Sequence, residues 1–164
     1  MELIKLGLIK VDFGIKGDPD RVKKIVGDFP SYIDLTNDRF PQLAEWPTGQ
    51  IEVELAIAWF PGEYFPNFSA VDDRLSQEKS IIGRTQIPHF IAGIIQRINE
   101  LWERYQKNEG PRWIYTSDNN SFWRDGDGGL CLPYVLLYPY YRKPAARWFG
   151  FDFVGGYGFL VACE

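Results

Sequence analysis

From Gln86 to Lys107 the large apolar residues are Ile87, Phe90, Ile91, Ile94, Ile95, Ile98, Leu101, Trp102 and Tyr105. The steps between them, threes and ones, are the spacing of one face of an α-helix. The opposite face carries Gln96, Arg97, Asn99, Glu100, Glu103, Arg104 and Lys107. Glu100 and Arg104, and Glu103 and Lys107, stand at i,i+4 in the favourable orientation, worth ~0.3 kcal/mol each. Thr85 is the expected N-cap, Pro88 is tolerated in the first turn, and Gly110-Pro111 is the expected stop. The spacing predicts one long amphipathic helix over about 86–107, and its apolar face must cover a hydrophobic surface.

The remaining pattern supplies that surface as strands. Ile4, Leu6 and Leu8 alternate, and Ile9, Val11 and Phe13 continue in the opposite phase. A strand with a bulge near Leu8-Ile9, or one buried on both faces, has this signature. Asp18-Pro19 opens a short helix over about 19–26, with Val22, Ile25 and Val26 on one face. Between 28 and 49, Phe29-Pro30, Phe40-Pro41 and Trp46-Pro47 push the chain toward extended or turn structure. Ile51, Val53, Leu55, Ile57 and Trp59 then alternate with Glu52, Glu54, Ala56 and Ala58. This is a strand with one buried face, and its alanines leave room for packing on the second face. Residues 61–84 form a long, weakly patterned connection, which is either functional or partly helical around Ser69–Ser80.

After Gly110 the pattern is strand-like: Arg112–Ser117, Phe122–Arg124, Leu130–Tyr138, Trp148–Phe153 and Tyr157–Cys163. Turns fall at 118–121 and 125–129, and Gly155-Gly156 signals a hairpin between the last two strands. The sum is an α+β fold in a single domain over 1–164. A mostly antiparallel sheet of about five or six strands carries the long helix on one face.

Composition changes this picture little. The chain is 45% apolar and 24% charged, as an ordinary folded domain is. Its six Trp, nine Tyr and twelve Phe suit a sheet-rich core or an interface. Net charge is −4, which argues against non-specific attraction to nucleic acid or an anionic membrane. Cys131 and Cys163 lack metal-type spacing and read as free buried thiols, with a disulfide between late strands as the alternative. The charge-interrupted start MELIKLGLIKVDFG does not read as a signal peptide, and no run of about 18 apolar residues occurs. A soluble cytoplasmic protein is expected.

Candidate chemistry is sparse. The only histidine, His89, has no His or Cys at ligand spacing, so no metal site and no Ser/Cys–His nucleophile is expected. Asp125-Gly-Asp-Gly-Gly lacks the later ligands of a calcium loop. Gly155-Gly156-Tyr157-Gly158 precedes a strand, so it offers a phosphate no helix N-terminus. No cofactor and no enzymatic activity follow from these residues. Glu52 and Glu54, two apart on one strand face, are the carboxylates that a minimal glycoside hydrolase would need. Tyr140, Tyr141, Arg142, Lys143, Arg147 and Trp148 interleave bases with aromatics as single-stranded nucleic-acid binders do, but over a short stretch of an acidic chain.

One stretch suits recognition. WFPGEYFPNFSAVDD, residues 59–73, sets Trp59, Tyr64, Phe65 and Phe68 beside Glu63, Asp72 and Asp73. Rigid rings supply contact area and carboxylates steer a basic partner. The leading expectation is a protein-binding domain that acts by occluding a partner with a basic surface, such as a toxin-neutralising immunity protein or a phage-type inhibitor. The alternatives are a carbohydrate- or small-molecule-binding domain, with or without carboxylate-based hydrolysis, and a structural or assembly component.

Overall fold

A computed structural model describes residues 1–15, 20, 24–25, 49–118, 123–124, 127, 129–139, 144–148, 153 and 156–164. The fold is mixed α+β. Among the described residues eight strands form one sheet: β1 (Glu2–Asp12), β2 (Gln50–Trp59), β3 (Ile81–Arg84), β4 (Trp113–Tyr115), β5 (Trp123–Arg124), β6 (Leu130–Leu136), β7 (Pro144–Trp148) and β8 (Tyr157–Cys163). Six of them run in the order β1-β2-β8-β4-β6-β5, with β3 on β8 and β7 on β6. Every pairing is antiparallel except β4 with β8.

The phase change in β1 is a bulge between Lys5 and Gly7, slightly earlier than the apolar pattern suggests. Gly7 sits there at φ +83°, a conformation that an L side chain resists, so the glycine fixes the position of the bulge. In β8, residues Gly158–Ala162 pair with β2, while Tyr157–Phe159 and Val161–Cys163 pair with β4 and β3. Both edges of β8 are therefore occupied. Residues 149–152 and 154–155 of the expected hairpin between Trp148–Phe153 and Tyr157–Cys163 lie outside the described residues. Phe153 makes an isolated bridge with Phe65.

The sheet separates two cores. One is mainly aliphatic: Ile4, Ile9, Val11, Val53, Leu55, Ile57, Ile114, Leu160 and Ala162 face Ile87, Phe90, Ile91, Ile94, Ile95 and Leu101. The other is aromatic: Phe60, Phe65, Tyr115, Phe153, Tyr157 and Phe159 close over Ala56, Ala58 and Val161. Helix α1 (Phe68–Ser76) packs into it through Phe68, Val71 and Leu75. The alanines of β2 do what small residues allow and let a helix approach the sheet.

The long helix expected over about 86–107 is broken. Helix α2 (Ile87–Gly93) and helix α3 (Ile98–Gln106) are joined by a 3-10 turn at Ile95–Arg97. Every residue of α2 is buried, whereas α3 buries only Leu101. The break follows Gly93, where a β-carbon would lie 3.0 Å from Leu55 Cδ1 and 3.5 Å from Leu160. Glycine lets α2 lie close on β2 and β8, and it is also a weak helix former, so the helix ends where it is pressed hardest on the sheet. The i,i+4 pairs expected at Glu100–Arg104 and Glu103–Lys107 do not form among the described residues. Arg97 approaches Glu100 instead, at 3.9 Å.

The N-cap of α2 is Gln86, not Thr85. Thr85 is buried, with its backbone N–H donating to Ser117 Oγ at 2.9 Å and its hydroxyl donating to the Leu160 carbonyl. The short helix expected over 19–26 lies largely outside the described residues, among which only Asp20, Lys24 and Ile25 fall in that range. Most of the 118–121 and 125–129 turns, and Tyr140–Lys143, also lie outside them. Among the described residues no helix is long and apolar enough to cross a membrane.

Candidate functional site

The residues of the 59–73 stretch have mostly been absorbed by the fold. Phe65 and Phe68 are buried in the aromatic core with Phe60. Phe60 meets Phe65 edge-on, with ring centroids 5.2 Å apart. Asn67 caps α1 by accepting the Ala70 N–H at 2.9 Å, which pulls the loop into a helix. Two of the three acids are internally paired. Arg74 bridges Glu63 at 3.4 Å and Glu78 at 2.6 Å, and Arg84 donates to Asp72 at 2.9 Å. Tyr64, 58% exposed, and Asp73 remain at the surface. The sequence offers this stretch as anchors for a basic partner or as a proline-braced loop that tucks its aromatics into the core, and Phe65, Phe68, Glu63 and Asp72 are engaged within the chain.

The other sequence candidates are dispersed. Glu52 and Glu54 lie opposite Lys10 and Leu8, on the sheet face away from the aliphatic core. His89 is buried, with the Phe13 ring edge-on at 5.1 Å. Its Nδ1 accepts the Gln86 N–H at 3.0 Å, so the proton of the neutral ring is on Nε2. Burial pushes its pKa down to about 3. Cys131 and Cys163 are buried thiols not joined in a disulfide, and they belong to different cores on opposite sheet faces. Among the described residues no group of three His, Cys, Asp or Glu could hold a metal.

Trp59 leads elsewhere. It ends β2 directly opposite Gly158 of β8. Gly158 has no room for a side chain: a β-carbon would stand 2.6 Å from Pro111 Cγ and 2.7 Å from Ile57 Cγ2. Pro111 is held there by the way α3 ends. Asn108 adopts φ +57°, and the N–H groups of Asn108 and Glu109 return to the carbonyls of Tyr105 and Arg104 at 3.0 and 2.9 Å. This is a Schellman-type stop, with asparagine where glycine is commoner. Gly110-Pro111 then carries the chain over Gly158 into β4. The Leu137 N–H donates to the Arg112 carbonyl at 2.8 Å, and the Trp113 ring lies 5.4 and 5.5 Å from those of Tyr134 and Tyr157.

The result is a cleft of about 260 Å³ at the end of the sheet, lined by Trp59, Tyr105, Asn108, Gly110, Pro111, Arg112, Trp113 and Gly156. Two N–H groups of its lining residues, Trp59 Nε1 and Arg112 Nε, are buried and have no hydrogen-bond partner among the described residues. Buried N–H groups are rarely left without a partner, and each one left so costs about 1–3 kcal/mol. Tyr105 and Arg112 are the titratable groups among the described lining residues, and no carboxylate is among them. A larger hollow of about 330 Å³ between β1 and α3 mixes Lys5, Arg97, Arg104 and Lys107 with Glu100, Glu103 and Glu109. It sets both signs of charge together and contains no ring.

Sequence reading reached Trp59 and missed Tyr105, Asn108, Arg112 and Trp113. Gly110-Pro111 was legible as a helix stop. Nothing local linked it to residue 59 or residue 156. Compared with known proteins, the chain matches no protein-family model, no curated protein and no solved structure.

Proposed function

We propose that this chain is a binding domain that takes one ring-sized group of a small molecule or carbohydrate in the Trp59–Trp113 cleft. The reading is carried by an aromatic-lined cleft two of whose lining residues, Trp59 and Arg112, each hold a buried N–H without a partner among the described residues. Aromatic side chains give a ring area to lie on, and a few placed donors fix its orientation. The cleft is smaller than the ~300–1,000 Å³ of drug-sized pockets, which suits a single ring. With no acid–base pair among the described lining residues, binding is favoured over hydrolysis, and Glu52 and Glu54 lie on another part of the sheet. A two-dimensional ¹H–¹⁵N NMR screen of monosaccharides and small aromatic compounds tests this. Expected are shifts of the Trp59 and Trp113 indole signals and of the Asn108–Trp113 and Gly156 amides. Hits that move other regions and leave these still would remove the assignment.

Occlusion of a protein partner is the second reading, favoured by the exposed Tyr64 ring in the loop before α1 and by exposed Asp73 on α1. On this reading Tyr64→Ser with Asp73→Lys abolishes co-purification of one mass-identified basic protein and leaves the fold and cleft unchanged. Undiminished co-purification would exclude those two residues.

A further inference from the structure

Arg112 stands apart from the paired arginines. Arg74 has Glu63 and Glu78, Arg84 has Asp72, and Arg97 has Glu100 and the Leu6 carbonyl. Arg112 is half-buried, lies over the Tyr138 ring at 5.4 Å, and has no carboxylate partner among the described residues. Its Nε–H is buried without a hydrogen-bond partner among the described residues, which is unfavourable, and a ring face compensates only part of that. Its natural complement is a planar carboxylate, which a guanidinium grips through two parallel hydrogen bonds.

We infer, on the basis of the cleft reading above, that the ring bound between Trp59 and Trp113 carries a carboxylate and that Arg112 is its anchoring residue. The charge balance selects a monoanion. Arg112 is the only cation among the described lining residues. The C-terminal end of α3, at the cleft rim, adds partial negative charge. A dianionic phosphate would meet one positive charge and a repulsive helix end, whereas a single carboxylate is matched by the guanidinium. The Trp59 indole N–H is a second donor, suited to a ring oxygen or a hydroxyl.

Matched probes separate this inference from the reading beneath it. Glucuronate is titrated against glucose, and benzoate against benzamide, following the Trp59 Nε1–H, Trp113 Nε1–H and Arg112 Nε–H signals by ¹H–¹⁵N NMR. In each pair the ring is kept and the charge removed. One pair should show the acid binding about tenfold or more tightly than its neutral partner, the size of one charge-assisted hydrogen bond. Which pair responds distinguishes a sugar acid from an aromatic acid. Arg112→Gln should erase the acid's advantage while the neutral probe still moves the Trp signals. Arg112→Lys, which keeps the charge without the planar fork, should retain part of it. Equal affinity for acid and neutral probes overturns the carboxylate inference and leaves the cleft reading standing. No response at the cleft from any of the four probes overturns both.

Discussion

Arg74 and Arg112 lie over aromatic rings at nearly the same distance, 5.3 Å above Phe60 and 5.4 Å above Tyr138. Around Arg74 every group is answered from within the chain: two carboxylates take the guanidinium, and the neighbouring phenylalanines fill the aromatic core. Around Arg112 the rings are half-exposed, and two N–H groups have no partner among the described residues. The first region has its interactions completed by folding, whereas the second has capacity left over. Both are aromatic and charged, so composition does not distinguish them. The accounting of partners does.

The largest test of the contrast is Phe68→Ala. Phe68 is fully buried where α1 meets the sheet, so its loss should cost ~3–5 kcal/mol in chemical denaturation. Trp59→Ala, at a half-exposed cleft position, should cost clearly less. A loss below about 1 kcal/mol for Phe68→Ala would mean that α1 is not part of the core.

Acid tests the completed interior at His89. Its folded pKa of about 3 lies below the ordinary 6.5, so between these values the unfolded chain binds the extra proton. The stability it protects is present in full above about pH 6.5 and is lost as pH falls toward 3, by at most ~1.4 kcal/mol per pH unit. Denaturation midpoints measured across that window should show this slope, and His89→Gln should flatten it. An unchanged slope in the variant would assign the acid sensitivity to other groups.

Gly158→Ala joins the two regions. The new methyl must displace Pro111 or Ile57, an overpacking worth ~1–3 kcal/mol, and the shift in Pro111 should deform the cleft. A variant with wild-type stability and wild-type probe binding would show that Pro111 does not set the cleft's shape.

The smallest effects compare the arginines directly. Arg74→Gln removes partly exposed ion pairs and should cost about 1 kcal/mol or less. Arg112→Gln removes a charge without a carboxylate partner and should leave stability unchanged or slightly raised. If Arg112→Gln proved the more damaging in thermal melts, Arg112 would belong to the completed region and the comparison would fail.

Part of this molecule follows from its residues in order. The alternation of Ile51 to Trp59 with Glu52 to Ala58 assigned the two faces of β2, and the alanines marked room for packing on the second face. The weak pattern around Ser69–Ser80 allowed the helix that Asn67 starts. Gly110-Pro111 marked the end of the helical pattern that closes with α3. These signals are local because they come from side-chain periodicity and backbone sterics within a few residues.

Only the tertiary structure decided the rest. A stripe continuous from Ile87 to Tyr105 does not say that the helix breaks after Gly93, because that depends on how closely Leu55 and Leu160 press against it. Gly155-Gly156 does not say that β8 will be filled on both edges by β2, β3 and β4. The residues read as a partner surface, Phe65, Phe68, Glu63 and Asp72, were engaged by Phe60, Arg74 and Arg84. The cleft draws on residue 59, residues 105–113 and residue 156. Whether an arginine is left without a counter-ion depends on where every carboxylate ends, and that is fixed only once the whole chain has packed.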